Sequence, residues 1–403
     1  MTRPLHAVLL PPAGAAGRML EALAAALDGT GPAILPLDPD LPRPRLAALL
    51  DAFAPSAIES SEGLVRNANG PSGGDPASGV GPDTALVIAT SGSTGQPKGT
   101  ELSASALLAS AGASLRRIGA SEGERWLCCL PAFHIAGIQV LVRSLLAGAD
   151  PVVVSRLEPG TLGASRCAHV AVVPTQLRRL VDAGEDLTAV RTVLLGGAAP
   201  GAGLVDAARA AGAHVVATYG MSETSGGCVY DGVPLDDVSV DIGADGRIRI
   251  AGPVLFSGYR LRPDLTAVAR DGRWFVTSDL GAFGPSGELR VRGRADDVIN
   301  TGGEKVVAAE VEAALGSCAG VREAAVVGQP DPEWGEVVTA VVVPADPSAP
   351  PLLADVRAHV RARLPGYAAP AALVLVPEIP MLPSGKPDRA ALRARTAGPV
   401  TGP

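Results

Sequence analysis

Apolar positions along this chain change their spacing several times, and each change marks a new stretch. Residues 1–54 predict a short strand, a helix over Met19–Leu27 and a second helix after Pro44. Residues 55–83 are rich in Ser, Gly, Pro and Asn, show little periodicity and predict a flexible surface loop. From 84 to about 220, β-branched runs at 85–89, 151–154, 169–173, 192–195 and 214–218 alternate with helical patterns such as 104–117 and 175–182. That alternation predicts a mainly parallel sheet whose ligand site lies at the C-terminal ends of its strands. Between 238 and 293 short strands with Asp-Gly and Ser-Gly turns predict a small β-rich subdomain. Residues 297–403 form a β/α mixture of their own, with Leu353, Val356, Val360 and Leu364 setting the buried face of a helix at 353–364. The fold class is therefore α/β: a large N-terminal domain of mainly parallel β/α layers plus a small β subdomain, then a small α+β domain.

Composition narrows the function. With 403 residues, 47% of them hydrophobic, the chain can bury a large core in two domains. A net charge of -7 argues against a broad nucleic-acid surface. No apolar run is long enough to span a bilayer, and Ala7-Val8-Leu9-Leu10, cut by Pro11-Pro12, is too short for a signal peptide. Five cysteines, with Cys128-Cys129 adjacent and no Cys-x-x-Cys, predict a reduced, disulfide-free cytoplasmic protein. No His/Cys/carboxylate group has zinc spacing. Oligomeric state stays open, a homodimer included.

One loop stands out chemically. Thr90-Ser91-Gly92-Ser93-Thr94-Gly95-Gln96-Pro97-Lys98-Gly99 follows the apolar run at 85–89 and precedes a helical pattern that begins near Ser103. Glycines let backbone N–H groups approach an anion, the hydroxyls add donors and Lys98 adds a point charge. A strand, this loop and a helix would cradle phosphate. It is not a Walker A loop, because Pro97 precedes the lysine and Gly99 follows it.

Other stretches carry chemistry at the ends of predicted strands. Leu194-Leu195-Gly196-Gly197 and Thr218-Tyr219-Gly220-Met221-Ser222-Glu223-Thr224 both follow strands, so both turns belong at one sheet edge. Glycine there lets a flat base lie against the backbone and Tyr219 offers a stacking face. Ser222 can donate to a phosphate oxygen, and Glu223 is a hard oxygen ligand suited to Mg²⁺ shared with phosphates. Leu130-Pro131-Ala132-Phe133-His134-Ile135-Ala136-Gly137 places a histidine in apolar company, which reads evenly as a satisfied core histidine or as a group at a cleft edge. Asp279 can accept both hydroxyls of a ribose or serve as a turn residue, and Arg294 can be a solvated charge. Asn300-Thr301-Gly302-Gly303 reads as a turn, Trp334 as a core residue, and Lys386, in Pro383-Ser384-Gly385-Lys386, as a surface charge.

Taken in order, these stretches resemble the adenylate-forming superfamily of acyl-CoA synthetases, adenylation domains and luciferases, over roughly residues 84–390. The resemblance implies ATP, Mg²⁺ and the co-substrate CoA, and a carboxylate activated as acyl-AMP before transfer to a thiol. It implies domains at 1–295 and 296–403, the second mobile, with Asp296 as the hinge. It gives the nucleotide to Thr90, Ser91, Gly92, Ser93, Thr94, Gly95, Lys98, Gly196, Gly197, Thr218, Tyr219, Gly220, Ser222, Asp279 and Arg294. Catalysis falls to Lys386, Lys98 and Ser222, and the metal to Glu223. The acyl group falls to His134, Gly137, Arg143, Thr224 and Ser225. The CoA arm falls to Gly302, Gly303 and Trp334. The short segment before the phosphate loop, with Val142–Gly148 and Tyr230–Leu235, resembles the compact 2-succinylbenzoate–CoA ligase branch of menaquinone synthesis. Other aryl- or acyl-CoA ligases, or enzymes that load a carrier-protein thiol, are the alternatives.

Overall fold

A computed structural model describes residues 2–11, 16–67, 79–91, 97–201, 203–381 and 387–396. The described chain separates into two compact units. The first comprises Met1–Gly197, Asp206–Val240 and Ile250–Val276, and the second Ala198–Val205, Asp241–Arg249 and Thr277–Pro403.

The first unit holds two sheets rather than one. In the first, the order is Gly258–Tyr259, Pro97–Ser103, Thr84–Ser91, Ala33–Pro36, Arg3–Leu9, Ala57–Ser60, Gly63–Arg66, with Gly79–Val80 beside Arg3–Leu9. Leu5, Ala7 and Leu9 share one face of their strand and join Ala33, Leu35, Phe53 and Val87 in one core. In the second, Val152–Val153, Trp126–Cys128, His169–Val172, Thr192–Leu195 and Val215–Met221 run parallel, and Gly226–Tyr230 and Val233–Pro234 complete it antiparallel. Its central strands His169–Val172 and Thr192–Leu195 are buried on both faces.

Three expectations need correction. The strand Thr84–Ser91 lies in the first sheet, apart from the parallel strands at 169–221. The loop after it does not lead into a helix. Ala89 pairs with Gly99, Thr90 with Lys98 and Ser91 with Pro97, so the residues on either side of 92–96 belong to two antiparallel paired strands. The helix Ala104–Arg117 begins only after the second strand, capped by Ser103, whose hydroxyl accepts from Ala106 N at 3.1 Å. Finally, the polar stretch 55–83 contains the hairpin Ala57–Ser60 and Gly63–Arg66 and the strand Gly79–Val80.

The second unit is built on Val321–Asp331 and Gly335–Pro344, a long antiparallel pair, flanked by Val298–Thr301, Glu304–Val307 and Ala372–Leu375. Period 2 divides its side chains cleanly. Val326, Val338, Ala340 and Val342 pack with Val311, Val356 and Val360, while Ala325, Val327, Val341 and Val343 pack with Ile379 and Leu392. Helices Ala308–Leu315 and Leu353–Arg361 supply the first face and Arg389–Thr396 the second.

Candidate active site

In the first unit the predicted turns do meet at one edge. Gly196 and Gly197 continue the strand Thr192–Leu195, and the neighbouring strand brings Thr218 beside them. Thr218 Oγ1 donates to Leu195 O at 3.2 Å, and a Cβ on Gly196 would stand 2.5 Å from Thr218 Oγ1. A side chain there would displace the Thr218 hydroxyl from its place against Leu195.

The next turn, Ser222–Thr224, is framed from within. Thr224 is fully buried, and its hydroxyl donates to Gly226 O at 2.7 Å and receives Met221 N at 2.9 Å. Ser225 is also fully buried, and its hydroxyl donates to Val254 O at 2.8 Å. Its carbonyl accepts from Ser110 and Gln139. These two residues therefore shape the turn. Ser222 and Glu223 are half-buried, and the Ser222 hydroxyl has no hydrogen bond to another described residue.

Glu223 has a partner that the sequence did not suggest. Tyr259 Oη donates to Glu223 Oε1 at 2.8 Å, and Phe256 N donates to the Glu223 carbonyl at 2.9 Å. The strand Gly258–Tyr259 pairs with Pro97–Ser103, Tyr259 opposite Thr100. That pairing carries Tyr259 alongside the lysine strand, and Lys98 Nζ lies 5.4 Å from the Tyr259 ring centroid. Burial and the Glu223 charge push the Tyr259 pKa up, so the phenol stays a proton donor. Among the described residues Lys98 forms no ion pair.

These donors fit a nucleotide and magnesium. A half-buried ammonium without a carboxylate, and an unclaimed serine hydroxyl near it on the same unit, suit phosphate oxygens. No group of three or more His, Cys, Asp or Glu side chains could hold a metal among the described residues. Magnesium shared with phosphates is held through one or two carboxylates, so Glu223 can serve as such a ligand. Thr90 Oγ1 donates to Lys98 O at 3.3 Å and closes the hairpin stem. Gly92, Ser93, Thr94, Gly95 and the Ser91 side chain lie outside the described residues. Tyr219 and Gly220 sit on the same strand, where a bulge between them shifts the pairing from Val229 opposite Tyr219 to Gly227 opposite Gly220.

On the acyl side, His134 precedes the helix Ile135–Leu146, and its ring packs edge-on against Phe133 with the ring centroids 4.8 Å apart. The ring stays solvent-accessible, yet the surrounding protein holds its pKa below the ordinary imidazole value, with Asp38 opposing. Gly137 allows the first turn of this helix to press on the preceding backbone, since a Cβ would stand 2.2 Å from Pro131 O. Arg143 is not brought to this edge. It lies on the last turn of the helix, 4.4 Å over the ring of Trp126, the first residue of its strand. His134 is at the other end of the helix. Arg143 is buried, which lowers its pKa, and it donates to Ser114 Oγ at 3.5 Å.

In the second unit Asp279 and Arg294 face each other across paired strands, and Arg294 bridges Asp279 at 3.3 Å and Asp296 at 3.0 Å. The ribose candidates and the hinge candidate thus form one ionic group. Gly302 and Gly303, at φ +58° and +84°, make the two-residue turn between Val298–Thr301 and Glu304–Val307. Gly302 N donates to Trp334 O at 2.8 Å. Trp334 is 51% exposed, so it is a surface residue laid against this turn and not a core one. Lys386 lies outside the described residues. Its flanks do not, since Met381 and Pro387 bridge and Asp388 N donates to Pro380 O at 2.8 Å.

Comparison with known proteins follows the same outline. The family model of the AMP-binding enzymes matches residues 31–260, and that of the AMP-binding enzyme C-terminal domain matches 310–386. A probable 2-succinylbenzoate–CoA ligase of Mycobacterium tuberculosis is 42% identical over 98% of this chain and 99% of its own length. A feruloyl-CoA synthase of Amycolatopsis is 36% identical over 78% of this chain and 70% of its own. The solved o-succinylbenzoate CoA synthetase MenE of Bacillus subtilis, in complex with its acyl-adenylate intermediate OSB-AMP, superposes with a TM-score of 0.82. It is 26% identical, covering 97% of this chain and 88% of its own.

Proposed function

The chain belongs to the AMP-binding, adenylate-forming enzymes, and on that premise we propose that its substrate is 2-succinylbenzoate. It is an ATP-dependent acid–CoA ligase, using ATP, Mg²⁺ and CoA. The observation that carries the phosphate side is the meeting of Lys98 and Glu223 through Tyr259, with the lysine ion-paired to no described residue.

In the first half-reaction a substrate carboxylate oxygen attacks the ATP α-phosphorus, and pyrophosphate leaves. Lys98 and Ser222 hold phosphate oxygens, and Lys386 stabilises the charge that develops between carboxylate and α-phosphate. Magnesium on Glu223, when bound, neutralises phosphate charge. Asp279 and Arg294 take the ribose. In the second half-reaction CoA thiolate attacks the acyl carbonyl and AMP leaves. Residues 296–403 turn about Asp296, so that the Gly302-Gly303 turn and Trp334 replace Lys386. No covalent enzyme nucleophile is required.

2-Succinylbenzoate carries a second carboxylate on its ring, and an unpaired anion in an apolar pocket is costly. His134 is the donor proposed for it. Gly137, Thr224 and Ser225 act by shaping that side of the unit, whereas Arg143, buried over Trp126 at the far end of the helix, does not reach it. Pyrophosphate release over a panel of acids tests this reading. Removing the ring carboxylate should lower kcat/KM by at least ~10²-fold, as for a lost charged hydrogen bond. His134→Ala should narrow that gap by harming the diacid most. If ferulate or plain benzoate turns over equally well, the chain is an aryl-CoA ligase of another kind. AMP release that responds to a carrier protein and not to CoA would instead place it among the carrier-loading enzymes.

No helix of the described residues is long and apolar enough to cross a membrane. The five cysteines are free and buried. Both facts suit the cytoplasmic location proposed, and sedimentation will decide between a monomer and a homodimer.

A further inference from the structure

Tyr259 belongs to no stretch singled out by the sequence, yet it touches both charged groups of the phosphate side. The residue is 9% exposed and its ring packs against Phe256, with centroids 4.9 Å apart. Thr266 Oγ1 accepts from Tyr259 N at 2.9 Å, which fixes the backbone. The phenol donates to Glu223 Oε1 at 2.8 Å, and the face of the ring lies under Lys98 Nζ at 5.4 Å. Three residues earlier in the same segment the chain also holds the Glu223 backbone, since Phe256 N donates to its carbonyl at 2.9 Å. Glu223 is thus gripped twice by one segment, once at each end.

We propose that Tyr259 is a positioning residue that presets the Glu223 carboxylate for magnesium and parks the Lys98 ammonium beside it. A carboxylate oxygen that accepts from a phenol keeps lone pairs for a cation but loses the freedom to rotate. An ammonium over an aromatic face is held weakly, by a contact that phosphate oxygens readily replace. The two contacts together keep a carboxylate and an ammonium apart that would otherwise form an ion pair and mask each other. The inference rests on the acyl-adenylate reading given above.

The test compares wild type with Tyr259→Phe, which keeps the ring and removes the donor. Calorimetry measures ATP binding with magnesium and without it. In wild type, ATP binding should tighten on adding magnesium, and failure of that arm would sink the acyl-adenylate reading itself. In the variant, magnesium affinity of the ATP complex should weaken by about tenfold, the effect of one charged hydrogen bond. Affinity for ATP without magnesium and the melting temperature should stay close to wild type. Excess magnesium should restore pyrophosphate release. An unchanged magnesium affinity in a wild type that does bind magnesium·ATP would overturn the inference alone. If Tyr259→Phe does not fold, fluorotyrosines placed at 259 keep the shape and grade the donor strength. Magnesium affinity should then track the acidity of the phenol, and a flat response would leave Tyr259 a packing residue.

Discussion

Substituting Gly302 by alanine separates conformational from packing effects at the proposed thiol side. Gly302 has φ +58°, and an added Cβ would lie 2.6 Å from Cε3 and 2.9 Å from Cζ3 of Trp334. A left-handed alanine costs roughly 1–2 kcal/mol. Overpacking adds about 1–3 kcal/mol, and the lower end applies because Trp334 is 51% exposed and can swing outward. Gly302→Ala should therefore destabilise by roughly 2–3 kcal/mol in sum. In a Trp334→Ala background the clash is gone and only the backbone cost of about 1–2 kcal/mol remains. The cycle should show a coupling of about 1 kcal/mol, read from urea melts of the four proteins. The displaced indole should also slow thioester formation from supplied acyl-AMP while pyrophosphate release holds. Equal destabilisation in both backgrounds would refute the contact, and equal loss in both half-reactions would refute the assignment of this turn to CoA.

Lys386→Ala should slow adenylation by ~10²–10³ and leave conversion of supplied acyl-AMP to thioester nearly intact, as single-turnover assays of each half will tell. Asp296→Pro fixes φ near -65° and, in the proposed hinge, should leave acyl-AMP formation but abolish thioester formation; normal ligation would move the hinge elsewhere. His169 is fully buried, and burial, opposed by Glu124, lowers its pKa. The unfolded imidazole takes a proton first as pH falls, so stability present above about pH 6.5 should drain below it. His169→Gln should flatten the dependence of melting temperature on pH across that window, and an unchanged slope would place the titrating group elsewhere.

Elements with long periodic signals were legible in the sequence. The helix Ala104–Arg117 and the strand Thr192–Leu195 coincide with their predicted bounds, because each buries a continuous face. Shorter or polar elements were not. Trp126–Cys128 is only three residues long and gives no period to count. Pro97–Ser103 begins with Pro-Lys-Gly and reads as loop, although hairpin pairing and the burial of Thr100 and Leu102 make it a strand. The hairpin at 57–66 was hidden by its exposed edge, where all four residues of Gly63–Arg66 are solvent-facing. Arg143 was assigned by proximity in sequence to His134. A helix is long enough to send the two ends to opposite edges of a sheet, and here it does so. Tyr259 carried no local signal at all, since its role exists only once two distant strands pair.

The stretch from Thr218 to Gly226 shows why a motif can be more specific than its chemistry requires. Two of its side chains, Ser222 and Glu223, are offered as reacting groups. The others hold these two in place. Thr224 ties Met221 N to Gly226 O, and Ser225 adopts φ +53° while its hydroxyl anchors to Val254. A side chain on Gly220 would stand 2.0 Å from Gly226 O, so that position must stay bare for the bulge to close. A left-handed serine costs on the order of 1 kcal/mol, which the buried hydrogen bonds of its hydroxyl and carbonyl offset. Each framing residue excludes most alternatives by geometry and not by reactivity. The motif is recognisable mainly for that reason, and its hydroxyl count overstates the number of groups that can meet a ligand. The same logic applies to Tyr259, which lies outside the motif but completes its frame.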